Sequence, residues 1–184
     1  MATKCLAFVM ATSVALLAGA ALPETKVEVK KTHICCPQCE KAVGKVLEKA
    51  GVKGSCSKDD GKITFSADDD KKAQKVLDDL AAAGFHGETG NKDIKFKDDS
   101  GVKEGKVTSL TLKGAHNCCG QCNKAIKETL KKVDGVESED AKAKSETITV
   151  KGNFDGKAVV KALNDAGFHV TTEKEKGKEK PNDK

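Results

Sequence analysis

Val27 and Val29 alternate with polar neighbours, and Leu110 and Leu112 do the same further on. That period of two predicts half-buried strands. After the first pair, Ala42, Val43, Val46, Leu47 and Ala50 recur on one helical face; Ala125, Ile126, Thr129, Leu130 and Val133 repeat the face after the second pair. Gly51-Val52 and Gly135-Val136 are placed to stop each helix and open a strand. Asp60-Gly61 predicts a hairpin turn before Ile63 and Phe65, whereas no such signal precedes Ile148 and Val150. A further helix is predicted with Ala73, Val76, Leu77 and Leu80 inward, and its counterpart uses Val159, Val160 and Leu163. Both end in Ala-Gly-Phe-His, which predicts the start of a last strand.

The predicted order is therefore βαββαβ, written twice. His33 and His116, Cys36 and Cys119, Cys39 and Cys122, and Phe85 and Phe168 all share an offset of 83. Each unit is about 70 residues, enough for one small core. The fold class read from this is α+β: two tandem ferredoxin-like βαββαβ sandwiches, each an antiparallel sheet with two helices on one face. The expected boundaries are 22–97 for the first unit, 98–105 for a linker around Asp98-Asp99-Ser100-Gly101, and 106–173 for the second unit. The segment 174–184 is charged and lacks apolar residues, which predicts disorder.

Residues 1–21 stand outside this plan. Lys4, an apolar run from Leu6 to Leu17 and the small residues Ala18-Gly19-Ala20-Ala21 read as a signal peptide. The run is short for a membrane span of about 20 residues. The mature chain is expected to be exported, periplasmic or secreted, with no stable membrane insertion after signal removal. Export exposes its thiols to oxidation.

Composition narrows the partners. The chain has 33 basic residues, all lysine, and a formal net charge of +5 with both signs interspersed. Without arginine the fork that reads phosphate and guanine is missing, so no nucleic-acid partner is expected. No nucleophile–base–orienter set and no glycine-rich phosphate loop stand out, so no enzyme is expected either.

The chemistry concentrates in two windows, His33-Ile-Cys-Cys-Pro-Gln-Cys39 and His116-Asn-Cys-Cys-Gly-Gln-Cys122. They hold six of the eight cysteines and two of the four histidines. Two cysteines separated by two residues at a loop–helix junction can aim both sulfurs at one point. The helix N-terminus offers free N–H groups and partial positive charge, which favour the thiolate. Pro37 fits the first helical position, where its missing N–H costs nothing. Paired thiolates favour Cu(I) and also accept Zn(II) or other heavy thiophilic ions. The bland alternative is a disulfide in each pair. Cys35 and Cys118 are either third thiolates or small residues preceding the site. His33 and His116 read as polar loop residues or imidazole ligands. His86 and His169 read as outer ligands or charge-balancing groups, and Phe85 and Phe168 as apolar cover. Cys56 has no cysteine counterpart and reads as a strand residue.

The chain resembles the heavy-metal-associated domain of copper chaperones, mercury-binding proteins and the N-terminal modules of metal-transporting ATPases. The resemblance rests on Cys-x-x-Cys between the first strand and helix, on Val43 or Ile126 four positions later, and on the closing Ala-Gly-Phe. It covers both units as two divergent copies, and the family's methionine before the first cysteine is absent from both. It implies a soft metal ion, Cu(I) favoured, held by Cys36 with Cys39 and Cys119 with Cys122; one ion per unit is expected, with a shared ion left open. It also implies a metal-transporting or metal-accepting protein as partner. A thiol–disulfide redox protein and a repeat stapled by disulfides remain as alternatives.

Overall fold

The structure, a computed structural model, describes residues 24–172. The signal peptide expected at 1–21 and the tail expected at 174–184 lie outside the described residues. No helix among the described residues is long and apolar enough to cross a membrane.

The first unit runs β1 (Thr25–Val29), α1 (Pro37–Ala50), β2 (Lys53–Ser57), β3 (Lys62–Ala67) and α2 (Asp70–Ala82). The second runs β4 (Lys106–Lys113), α3 (Gly120–Leu130), β5 (Val136–Glu139), β6 (Thr147–Asp155), α4 (Gly156–Asp165) and β7 (Thr171–Thr172). Both sheets are antiparallel, in the orders β1-β3-β2 and β5-β6-β4-β7. The fold is therefore α+β, with each central pairing bringing the predicted apolar residues face to face. Val27 pairs with Phe65 and Val29 with Ile63; Leu110 pairs with Val150 and Leu112 with Ile148. Helices α1 and α2 pack on each other, as do α3 and α4. Val43, Leu47, Val76, Leu77 and Leu80 point into the first core, and Ile126, Leu130, Val159 and Leu163 into the second.

Two local expectations are corrected. The last strand of the first unit shrinks to a single bridge between Lys30 and Glu88, held by reciprocal N–H to C=O bonds of 2.8 and 2.9 Å. The residues there are Gly87, Glu88, Thr89 and Gly90, a poor strand sequence, whereas Val170-Thr171-Thr172 supplies β-branched residues in the second unit. Helix α3 also stops at Leu130, before Gly135, through a run of turns. Gly51 does end α1 as expected: it takes the left-handed conformation, and the Val52 N–H reaches back to Leu47.

The segment after α2 does not hang free. Ile94 is buried, Ser100 is buried, and the Ser100 carbonyl accepts from the Thr172 N–H at 2.8 Å. Residues 98–105, read as a linker, thus begin against the edge of the second sheet.

The two units dock through their repeated Ala-Gly-Phe-His corners. The His86 N–H donates to the Gly167 carbonyl at 3.1 Å, and the His169 N–H donates to the Gly84 carbonyl at 3.0 Å. Phe85 and Phe168 face each other as a bridge. Gly84 and Gly167 have φ of 85° and 88°, and a Cβ on either would strike the backbone of the other unit's cysteine loop. Buried apolar side chains form one continuous cluster through both units.

Candidate metal centre

Each cysteine window leaves a first strand and enters a helix. The first is tied to the hairpin turn, where the Thr32 N–H donates to the Gly61 carbonyl at 2.9 Å. The second is tied through Asn117, whose side-chain amide donates to the Lys142 carbonyl at 2.9 Å and whose own carbonyl accepts from the Lys144 N–H at 2.6 Å. Cys36 and Cys119 are the N-cap residues of α1 and α3, both with extended backbone and neither with a side-chain capping bond. Pro37 occupies the first turn of α1. Cys39 and Cys122, one turn in, are fully buried.

The docking of the units brings all six sulfurs together. Within each Cys-x-x-Cys pair the separations are 3.5 Å for Cys36–Cys39 and 3.7 Å for Cys119–Cys122. Between units they are just as close: Cys35–Cys122 is 3.4 Å, Cys36–Cys118 is 3.7 Å, and Cys35–Cys119, Cys39–Cys118 and Cys39–Cys122 are each 3.8 Å. Cys35–Cys39 at 3.9 Å and Cys118–Cys122 at 3.8 Å complete the close pairs. The triples Cys35–Cys36–Cys119, Cys36–Cys39–Cys118 and Cys118–Cys119–Cys122 each fit within 4.8 Å. Each sulfur is therefore near all the others except one. That is the pattern of an octahedron, with Cys35 opposite Cys118, Cys36 opposite Cys122 and Cys39 opposite Cys119. All six are free thiols.

The expectation of one separate site per unit gives way here. The nearest sulfur to Cys35 belongs to Cys122 of the other unit, so the two windows build one shared centre. Cys35 and Cys118, uncertain in the sequence, are vertices of it. Cys56 lies apart on β2, its thiol donating to the Glu40 carbonyl at 3.7 Å.

The histidines divide into two classes. His33 stacks on Phe168 of the other unit at 4.4 Å, and His116 stacks on Phe85 at 4.3 Å. A ring nitrogen of His33 lies within 4.8 Å of the sulfurs of Cys35 and Cys122. The Nε2 atoms of His33 and His116 are buried without a hydrogen-bond partner. Both imidazoles thus border the cluster, braced from across the interface. His86 and His169 instead stack on each other at 5.9 Å; His169 pairs with Asp99 at 3.0 Å, and His86 packs against Phe96. They join no ligand group among the described residues; of the two roles expected for them, the His169–Asp99 pair fits the charge-balancing one, at the interface between the units. Phe85 and Phe168 are buried platforms under the imidazoles, in keeping with apolar cover.

Crowding sets the protonation. The hydrogen bond from the Cys122 thiol, with the neighbouring His116 imidazole, holds Cys39 far below the usual thiol range. The proton shared with Cys39, together with burial, pushes Cys122 up. Burial raises Cys118 and pushes Cys35 up to about 12. For Cys119 burial is outweighed by the backbone N–H and thiol of Cys122, and it settles at about 7. The thiolate is thus favoured at Cys39 on the α1 end and at Cys119 on the α3 end, while Cys35, Cys118 and Cys122 are held toward the protonated form until positive charge replaces the proton.

The pattern along the chain does not single out Asn117, which anchors the second loop, and it leaves open whether the two loops share one site. The signal for the merging was present: Gly84 and Gly167 are repeated at one offset, and a glycine needed in both copies marks a close backbone approach.

A family model for the heavy-metal-associated domain matches residues 116–169, from the histidine that opens the second window to the histidine of the corner after α4. No curated protein matches the chain. Among solved structures, the chain is similar to the N-terminal soluble domains of Bacillus subtilis CopA, at 16% identity and a TM-score of 0.31, covering 83% of this chain and 96% of that one.

Proposed function

We propose that this protein binds soft metal ions, Cu(I) above others, and sequesters them or delivers them to a metal-transporting or metal-accepting partner outside the cytoplasm. The observation that carries the reading is the shared cluster of six free thiols at two helix N-termini. Thiolates select soft ions, and the helix ends favour ionised sulfur. The match of residues 116–169 to the heavy-metal-associated domain supports the same ion class, and the first unit is read as a second, divergent copy. Export follows from the signal-peptide reading of residues 1–21. The proposed chemistry is proton release and metal capture, without a catalytic step.

The test is an anaerobic Cu(I) titration of the reduced protein against a chromophoric Cu(I) chelator. Retention of copper against the chelator, lost when Cys39 and Cys122 are both replaced by serine, is the expected result. Complete transfer of copper to the chelator by the fully reduced wild type contradicts the proposal. N-terminal sequencing of the exported protein tests the cleavage near Leu22.

A further inference from the structure

The six sulfurs are arranged more specifically than simple metal binding requires. An octahedron of sulfurs has triangular faces and a centre, and no tetrahedral hole. A two-coordinate ion with bonds of about 2.3 Å needs its sulfurs about 4.6 Å apart. The Cys-x-x-Cys pairs stand at 3.5 and 3.7 Å, well short of that. A three-coordinate ion with the same bonds holds its sulfurs about 4.0 Å apart. Nine of the twelve edges run from 3.4 to 3.9 Å, nearly that spacing, and Cys35–Cys36, Cys36–Cys119 and Cys118–Cys119 lie within 4.8 Å.

The faces also alternate correctly. Cys35–Cys36–Cys119, Cys36–Cys39–Cys118 and Cys118–Cys119–Cys122 share vertices but no edges. The fourth face of that set is Cys35–Cys39–Cys122, with edges of 3.9, 3.4 and 3.8 Å. Every sulfur belongs to two of these four faces. Four three-coordinate ions, one on each face, would use each thiolate once as a bridge.

We infer that the two units together hold one cluster of four Cu(I) ions bridged by the six thiolates of Cys35, Cys36, Cys39, Cys118, Cys119 and Cys122. The inference rests on the reading of the site as a soft-metal centre and specifies its nuclearity. Copper stays Cu(I) throughout. The thiol protons pass to solvent, and the filled cluster carries a net charge of −2. Zn(II), which takes tetrahedral sites, finds no such hole in this arrangement.

The experiment is an anaerobic Cu(I) titration of the reduced protein followed by native mass spectrometry and by visible emission, which solvent-shielded Cu(I)–thiolate clusters give. The expected spectrum passes from metal-free to four-copper protein with little of the two-copper form, and emission rises with the four-copper species. Cys118→Ser, which removes a vertex shared by two faces, should abolish the four-copper form and the emission; Cys56→Ser should leave both intact. A titration that ends at two ions per chain, unchanged by Cys118→Ser, overturns the cluster while leaving soft-metal binding standing. Failure of the wild type to retain any copper overturns both.

Discussion

Helices α1 and α3 begin differently from α2 and α4, and the difference separates function from folding. Asp69 caps α2 by accepting from the Lys72 N–H at 2.7 Å, and Asp155 caps α4 by accepting from the Lys157 and Ala158 N–H groups at 2.8 and 3.2 Å. Cys36 and Cys119 occupy the same position on α1 and α3 with the same extended backbone, yet neither has an oxygen cap: their sulfurs make no geometric capping hydrogen bond, and at Cys119 the helix N–H groups only favour the thiolate. A cap is worth roughly 1 kcal/mol, so the cysteine ends forgo that stability and leave N–H groups for sulfur. Their support comes instead from the opposite unit, through imidazoles stacked on Phe85 and Phe168.

The largest effect should come from removing that support. Phe168→Ala and Phe85→Ala each delete a fully buried ring, at a cost of about 3–5 kcal/mol in urea unfolding of the metal-free protein. The two variants should lose similar amounts, because the platforms are equivalent across the interface. A loss confined to one of them would break the symmetry between the cysteine ends.

Next come the corners. Alanine at Gly84 or Gly167 forces a left-handed conformation that costs roughly 1–2 kcal/mol and also collides with the other unit's loop. Both substitutions should part the units and lower the copper content. Small-angle scattering and metal analysis check this; an unchanged copper content would detach the shared site from the docking.

The caps themselves give a smaller effect of opposite signs. Asp155→Ala should cost about 1 kcal/mol and leave copper binding unchanged. Cys36→Ser should gain up to about 1 kcal/mol in the metal-free protein, because a hydroxyl can accept the free N–H, while copper binding falls. Calorimetry with metal analysis measures both.

Acid supplies the mildest perturbation. Burial first, and then the neighbouring His169, push His86 from its ordinary 6.5 down to about 4, against the opposing pull of Asn164, Asp165 and Asp99. Between those values the unfolded chain takes up a proton that the fold refuses, so stability falls as pH drops through that window. Urea midpoints of the reduced, metal-free protein should fall from pH 7 to pH 4.5, and less steeply in His86→Gln.

Much of this was legible in the residues. The strand and helix faces followed from periods of two and 3.6, because each unit buries a single apolar face and the pattern has one job. The terminal strand of the first unit was not legible from Ala-Gly-Phe-His alone, since the glycine-rich residues after it decide whether a strand continues. The six cysteines were all visible as candidates. What the pattern along the chain could not convey was that Cys35 meets Cys122 more closely than any sulfur of its own unit. Such proximity arises from tertiary docking, and only the paired glycines hinted at it. Between the two roles open to His86 and His169, outer ligand or charge-balancing group, the pattern could not choose: they follow the corner that docks, and the docking turns them toward each other and sets His169 against Asp99.

Copper K-edge absorption spectroscopy on the fully loaded, reduced protein tests the shared centre most directly. A four-copper cluster gives three sulfur neighbours per copper at about 2.3 Å, together with a copper–copper scattering shell. Two sulfur neighbours and no copper–copper shell would contradict it, and would return each ion to the cysteine pair of its own unit.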